Sequence, residues 1–375
     1  MRISSSFDGG NITCLDCSDP GDIRLAINKD NGSDFYQWFY FRLTGARGIA
    51  CALKLTNAGG AAYAGGWNGY RAVASYDRRT WFRVPTDYDG TVLTFRHTPE
   101  QDQVYYAYLA PYSMERHADL IAEALAAPNV RLDVLGSTLD GQDLDLLRIG
   151  APGPDKRVCW VVGRQHPGET MAEWWMEGFL RRLLDGADPV AREVLKRAVL
   201  NVVPNMNPDG SRRGHLRTNA VGANLNREWQ SPTMERSPEV FLVRRAMQES
   251  GVDFCLDVHG DETLPYNFLI STSGIPSASE KQATLYRNFC DALRRASPDF
   301  QTAHGHAEAK PGTANMTLCG SWVAEEFGCF SATLEMPFKD TADTPDERFG
   351  WSPERSRLLG ASCLDALWAI LGDLR

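Results

Sequence analysis

Four residues of types that bind metals or move protons stand at the ends of apolar runs in this sequence. His166 and Glu169 lie three apart in Gly163-Arg164-Gln165-His166-Pro167-Gly168-Glu169-Thr170, directly after Val158-Cys159-Trp160-Val161-Val162. An imidazole nitrogen and a carboxylate at that spacing, across a Pro-Gly turn, can converge on one ion. The plainer reading is a loop histidine and a first-turn glutamate favoured by a helix dipole. His259 follows Phe254-Cys255-Leu256-Asp257-Val258 and leads into Gly260-Asp261. As a third ligand it completes a His-Glu-His set, the kind that leaves zinc one position open to water. Glu335 sits in Thr333-Leu334-Glu335-Met336-Pro337. A carboxylate amid apolar neighbours costs desolvation energy unless it has a partner or a task. The partner would be an arginine; the task would be to take a proton from metal-bound water as general base.

Arg217 and Arg227 stand between the ligands, on turn-rich backbone that follows the apolar run Val199 to Val203. The stretch reads Asn205-Met206-Asn207-Pro208-Asp209-Gly210, then Arg217-Thr218-Asn219, then Asn224-Leu225-Asn226-Arg227. Solvated arginines are the default, and an Asn-Arg pair alone carries no message. Beside a metal cleft, a guanidinium can grip a carboxylate through two parallel hydrogen bonds, which suits recognition of a peptide's C-terminal group.

Positioning these residues falls to the second part of the chain. Val158 to Val162, Val199 to Val203, Val252 to Val258 and Phe330 to Leu334 read as buried strands. Met171 to Leu184, Pro238 to Glu249, Glu280 to Arg295 and Ser356 to Ile370 read as helices, and a further helix runs from an N-cap at Ser113 to about Ala127. Val130 to Gly136 and Leu144 to Ile149 add strands joined through Asp140-Gly141. The alternation predicts an α/β domain over 113–375, with a mixed, mostly parallel central sheet and helices on both faces. Sites in such sheets lie beyond the carboxyl ends of the strands, where His166 and His259 stand. Residues 1–112 instead offer short strand-like runs at 35–43, 49–55, 71–76, 80–84, 91–95 and 104–109, separated by Gly, Asp and Asn clusters. They predict an antiparallel β-sandwich domain. With one histidine, His97, and no cluster of acid, base and metal-binding types, that domain is expected to shape access and to take no part in catalysis.

Composition narrows the function. The chain has 375 residues, 43% of them hydrophobic, enough for a sizeable core in two units. Its 39 basic and 48 acidic side chains leave a formal charge of −9, which argues against nucleic acid or an anionic membrane as partner. The start, Met1-Arg2-Ile3-Ser4-Ser5-Ser6-Phe7-Asp8, lacks the apolar run of a secretory signal, and nothing approaches the ~18 apolar residues of a membrane span. Nine scattered cysteines do not suggest a disulfide framework, so a reducing cytoplasm is expected, with Cys14 and Cys17 as plain thiols. His304-Gly305-His306 reads as a surface loop.

The combination of His166-Pro167-Gly168-Glu169, Asn207-Pro208-Asp209-Gly210, Asn226-Arg227, His259 and Glu335, in that order, resembles the zinc metallocarboxypeptidases. The His-Pro-Gly-Glu form, the His259-Gly260-Asp261 loop and Gln37-Trp38-Phe39-Tyr40-Phe41 look like the cytosolic branch, whose members carry an N-terminal β-sandwich. The resemblance covers nearly the whole chain. It implies one zinc per chain, held by His166, Glu169 and His259. It also implies Arg217 polarising the scissile carbonyl, Asn226 and Arg227 binding the substrate's terminal carboxylate, and Glu335 as base. The implied reaction is removal of C-terminal amino acids from peptides or protein tails, with acidic ends preferred by cytosolic relatives.

Three positions depart from the pattern. Asn224 stands where many relatives have an Asp that orients a zinc-bound imidazole. Of the tyrosines between His259 and Glu335, Tyr266 and Tyr286, neither is placed like the substrate-contacting Tyr of digestive relatives. Lys310 to Asn315 has a neutral Asn where a pocket arginine is expected. Two other functions compete: a zinc amidase or deacylase acting on small N-acyl amino acids, and a binding protein with a vestigial catalytic domain.

Overall fold

The computed structural model describes residues 1–374. Its central element is a seven-stranded sheet in the order Val130–Ser137, Asp143–Ile149, Ala198–Val203, Arg157–Gly163, Phe254–Asp261, Phe330–Pro337, Phe268–Ile270. Ala198–Val203, Arg157–Gly163, Phe254–Asp261 and Phe330–Pro337 run parallel to one another, and the other three pairings are antiparallel, so the sheet is mixed as expected. Alternation along Arg157–Gly163 feeds two cores. Cys159 and Val161 face one side with Leu256, Phe179 and Leu364; Trp160 and Val162 face the other with Val243, Met247 and Val323. Burial on both faces is why the strand reads as an unbroken apolar run and not as an alternation.

Helices cover both faces. Met171–Leu183, Glu280–Ala296 and Pro353–Ile370 pack on the first, Pro238–Ser250 and Cys319–Phe327 on the second. Met171–Leu183 meets Pro353–Ile370 at backbone distance because Gly360 has no side chain: a Cβ there would lie 2.2 Å from the Trp175 carbonyl oxygen. The helix at Met114–Leu125 starts where expected, with the Ser113 hydroxyl accepting from the Arg116 N–H at 3.2 Å.

Residues before 113 form two five-stranded sheets. Tyr40–Thr44 and Gln103–Ala107 are central in one, Cys51–Leu55 in the other. All pairings but one are antiparallel; Ile23–Ala26 runs parallel to Cys51–Leu55, because the intervening Tyr40–Thr44 crosses into the opposite sheet. Phe35 to Phe39 is not strand but aromatic packing, with Phe39 stacked 6.0 Å from Phe95.

The hydrophobic core continues across the junction between the two parts. Tyr108 stacks on Phe338 with ring centres 4.7 Å apart. The buried Arg83 guanidinium donates to the carbonyls of Phe338, Phe349 and Trp351. No helix among the described residues is long and apolar enough to cross a membrane. The nine cysteines are free thiols; Cys14 is exposed, Cys17 half-buried and the other seven buried.

Candidate active site

The site begins with a strained turn. Arg164 leaves the strand with φ of 56°, a left-handed conformation that costs energy in a residue with a side chain. Its buried guanidinium compensates by donating to the carbonyls of Pro167 and Tyr112 at 3.0 and 2.9 Å and by pairing with the buried Glu173. The Pro167-Gly168 turn is thereby fixed, and His166 and Glu169 face each other, with Nδ1 of the histidine 2.6 Å from Oε1 of the glutamate. The neighbouring parallel strand brings His259 in, its Nδ1 2.8 Å from Glu169 Oε2. One strand further, Glu335 is the register partner of His259. All four side chains are buried.

His166, Glu169 and His259 offer ligand atoms that all lie within 4.8 Å of one another. The two Nδ1 atoms are 3.2 Å apart. A tetrahedral zinc with Zn–N bonds of ~2.0–2.1 Å holds two nitrogens about 3.3 Å apart, so the donor set and its spacing fit that ion. The far side of each ring is committed. His166 Nε2 faces Asn224 Oδ1 at 3.0 Å, and His259 Nε2 faces Asp257 Oδ2 at 2.9 Å. Protonation of each ring at Nε2, assigned from these acceptors, leaves Nδ1 free to ligate. Asn224 thus occupies the orienting position with a neutral amide, and Asp257 supplies the carboxylate on the other histidine. Asp257 escaped the sequence reading, yet it stands two residues before His259 on one strand and therefore on the same face.

Electrostatics favour a cation here. Burial and then the nearby Arg217 push the His166 imidazole down to about 4, so it stays neutral. Burial alone would raise Glu169, but His166 and His259 beside it bring it below the ordinary carboxylate range. Glu335 goes the other way: burial first, then the charges of Glu169, Asp261 and Glu262, raise it well above its usual value, while His259 opposes. Its Oε2 is buried with no hydrogen-bond partner among the described residues. A divalent cation would add countercharge to this group of carboxylates.

The other predicted residues line the same cleft, of about 310 Å³. Asn226 spends its Oδ1 accepting from the Cys319 N–H at 2.9 Å, which leaves its amide nitrogen on the cleft side, 3.4 Å from His259 Nε2. Arg227 is exposed and makes no ion pair among the described residues; its Nη1 donates only to the Asn226 carbonyl at 2.6 Å. Arg217 is buried, with Nη1 3.9 Å from the buried Glu262. The Asn207-Pro208-Asp209-Gly210 motif is scaffold. Asn207 Nδ2 donates to the Gln165 carbonyl at 3.0 Å, and Asp209 accepts from the Thr138 hydroxyl at 2.6 Å.

Residues outside the sequence reading also reach the cleft. Tyr63 lines it from the N-terminal part, and Arg217 lies between two rings of that part, 5.1 Å from Tyr63 and 5.7 Å from Phe35. Residues 1–112 therefore supply part of the cleft wall, which is consistent with a domain that shapes access to the site. Their contacts span more than 150 residues of sequence, and no local pattern announces them. His306 is tied down as well, its Nε2 2.7 Å from Asp261 Oδ2 at the cleft edge. His304 stacks on Tyr266 at 4.2 Å, and the Tyr286 hydroxyl donates to the Leu269 carbonyl, so neither tyrosine faces the metal set. A larger cavity of about 650 Å³ adjoins the cleft. Asn315, Arg287 and Glu308 line it; Lys310 does not.

A family model for zinc carboxypeptidase matches residues 117–359, and one for the cytosolic carboxypeptidase N-terminal domain matches residues 3–109. The chain is 50% identical to a metallo-carboxypeptidase from Burkholderia cenocepacia, with 98% of each chain covered and a TM-score of 0.96. A metallo-carboxypeptidase from Pseudomonas aeruginosa, solved in complex with (2-guanidinoethylmercapto)succinic acid, is 44% identical over 100% of both chains, with a TM-score of 0.98. Cytosolic carboxypeptidase 1 of Homo sapiens is 27% identical over 293 residues, which is 66% of this chain and 24% of that protein's own length.

Proposed function

This chain belongs to the zinc carboxypeptidase family and carries the N-terminal domain of its cytosolic branch, and from that premise we propose that it removes C-terminal amino acids from peptides or protein tails. One zinc per chain is held by His166, Glu169 and His259. Residues 1–112 and 113–375 are the two units, and the reducing cytoplasm is the compartment. The observation that carries the reading is Arg227: an exposed guanidinium without an ion pair among the described residues shares one cleft with a three-ligand metal set and a buried carboxylate. The succinic acid derivative in complex with the Pseudomonas relative is the kind of free acid such a guanidinium takes.

Arg227, assisted by the Asn226 amide, binds the terminal carboxylate and sets the scissile bond at a fixed distance from the metal set. Arg217 donates toward the scissile carbonyl oxygen, where negative charge develops. Zinc, when bound, is a Lewis acid that brings the acidity of water into the neutral range. Glu335 takes the proton of the attacking water and returns it to the leaving amine. Its burial keeps bulk water from competing for that proton.

Incubation of the zinc-loaded protein with a library of peptides, read by mass spectrometry, tests the reaction and its side-chain preference together. Loss of single C-terminal residues, abolished by chelation, is expected. The library includes glutamate and aspartate ends, because acidic specificity is the family expectation for this branch. Cleavage of C-terminally amidated peptides as readily as free acids would replace the carboxypeptidase with an amidase.

A further inference from the structure

Tyr63 lies in the loop between Cys51–Leu55 and Val73–Ser75, far in sequence from every metal-set residue, yet it lines the cleft with His166, Glu169, Arg227 and Glu335. Its backbone is clamped by one side chain. The Tyr63 N–H donates to Gln37 Oε1 at 2.8 Å, and Gln37 Nε2 donates back to the Tyr63 carbonyl at 3.2 Å. Gln37 is itself fully buried and also donates to the Tyr108 hydroxyl at 3.0 Å. Both backbone groups of one loop residue are thus satisfied as they would be in a sheet, which fixes Tyr63 without a neighbouring strand.

The loop is also pressed against the catalytic part. The next turn, Ala64–Trp67, places Gly66 where a Cβ would lie 2.6 Å from the Glu262 carbonyl oxygen, so only glycine permits this approach to the segment that follows His259. The Trp67 indole closes the loop by donating to the Ala58 carbonyl at 3.0 Å. The ring of Tyr63 meets the Arg217 guanidinium, which leaves its hydroxyl as the polar group at the cleft wall, with no hydrogen-bond partner among the described residues.

We propose that Tyr63 is a substrate-contacting residue, its hydroxyl donating a hydrogen bond to the substrate's peptide backbone on the N-terminal side of the scissile bond, beside Arg217. The proposal rests on the carboxypeptidase reading. It makes the N-terminal domain a working wall of the active site. Burial, with Glu262 and Glu169 adding and Arg217 opposing, pushes the phenol up to about 12, so it remains a donor throughout the neutral range. The plain alternative is that Tyr63 serves only as a platform for Arg217, and the two roles part at the hydroxyl.

The test compares the full chain, zinc-loaded, with Tyr63→Phe and Tyr63→Ala variants. Two readouts are used: kcat and KM on a peptide that the wild type cleaves, and calorimetric binding of the same peptide with its scissile amide reduced to CH2–NH. Tyr63→Phe keeps the ring on Arg217, so zinc content and Tm are expected to be unchanged. The single lost hydrogen bond lowers kcat/KM and reduced-peptide affinity by roughly 3- to 10-fold. Tyr63→Ala, which also removes the platform, is expected to lose more. Tyr63→Phe equal to the wild type in both readouts overturns the proposal and leaves the platform role. A zinc-loaded wild type that neither cleaves nor binds free-acid peptides removes the carboxypeptidase reading itself, and this proposal with it.

Discussion

The carboxylate of Asp30 holds the backbone of Arg217 from the other domain: Oδ2 accepts from the Arg217 N–H at 2.8 Å. The same carboxylate accepts from the N–H groups of Leu216 and Thr218 at 2.7 and 2.9 Å, and from the Thr218 hydroxyl at 3.1 Å. Asp30 is only 2% exposed, so these bonds form where water does not compete. Asn11 and Asn31 continue the seam, donating to the carbonyls of Gly214 and Ala220 at 2.8 and 2.7 Å. The loop bearing the proposed carbonyl-polarising arginine is thus organised by residues 11–31.

Asp30→Ala leaves three N–H groups without an acceptor, at a cost of about 1–3 kcal/mol for each that stays unpaired. The variant is expected to lose roughly 10-fold or more in kcat while retaining its zinc, since the metal set stands on other segments. Steady-state kinetics beside elemental analysis checks it; a stable variant with unaltered kcat shows that Arg217 needs no such support.

Metal content gives the second prediction. The wild type should hold one zinc per chain, and His259→Ala should lose most of it, because two remaining ligands cannot close a site. Zinc retained at full occupancy in that variant, measured by elemental analysis, would sink the ligand assignment.

Glu335→Gln changes the base without changing its volume. The variant should bind zinc normally and lose ~10² to 10⁴-fold in kcat, the usual loss for a general base. Near-normal turnover would move the base elsewhere in the cleft.

Much of the metal set is legible in the sequence because each member ends an apolar run: a buried parallel strand must be apolar, and a site at its carboxyl end must not be. What cannot be read is which strands are neighbours. His259 and Glu335 are register partners only because Phe254–Asp261 lies between Arg157–Gly163 and Phe330–Pro337, an order fixed by packing. Both strands also run about three residues past the apolar stretches that mark them, since backbone pairing continues after burial changes character. The helix Cys319–Phe327 went unread: it has no side-chain cap hydrogen bond and is short, and it is held by Asn226 accepting from the Cys319 N–H. Asp30 and Tyr63 were invisible for a different reason. Asp30 lies 188 residues from Thr218, and no periodicity spans that distance.

A pH-dependent stability follows from His117. Buried between Glu173 at 2.7 Å and Asp145 at 3.5 Å, its imidazole is pushed up to about 9: burial opposes the charged form, but the two carboxylates more than offset it. A folded pKa above the unfolded value of ~6.5 contributes stability that is fully present below pH ~6.5 and disappears as pH rises through about 9. The contribution is on the order of 3 kcal/mol at most. Thermal unfolding of the wild type and His117→Gln should therefore differ strongly at pH 6 and much less at pH 10. A gap that is constant with pH would show that His117 acts by packing alone.

Specificity for a free C-terminus should rest on Arg227. A carboxylate entering the cleft sheds water, and a paired cation must compensate. Arg227 stands ready for that: it spends one donor on its neighbour's carbonyl and has no acidic partner among the described residues. The guanidinium is exposed before substrate arrives, so the substrate itself must cover it to form a strong pair. The pair then fixes as well as attracts, because two parallel bonds set the direction of the chain end. Misplacement of that end by an ångström lowers turnover as well as affinity. Arg227→Ala is expected to lose about 2 kcal/mol in kcat/KM toward free acids, the range of hydrogen bonds to charged groups. Arg227→Lys should recover only part, since an ammonium lacks the planar fork. Amidated peptides should be poor substrates for the wild type and show little further loss in either variant. Kinetics on matched free and amidated peptides measure all three. Equal cleavage of the two by the wild type would mean that Arg227 anchors no carboxylate.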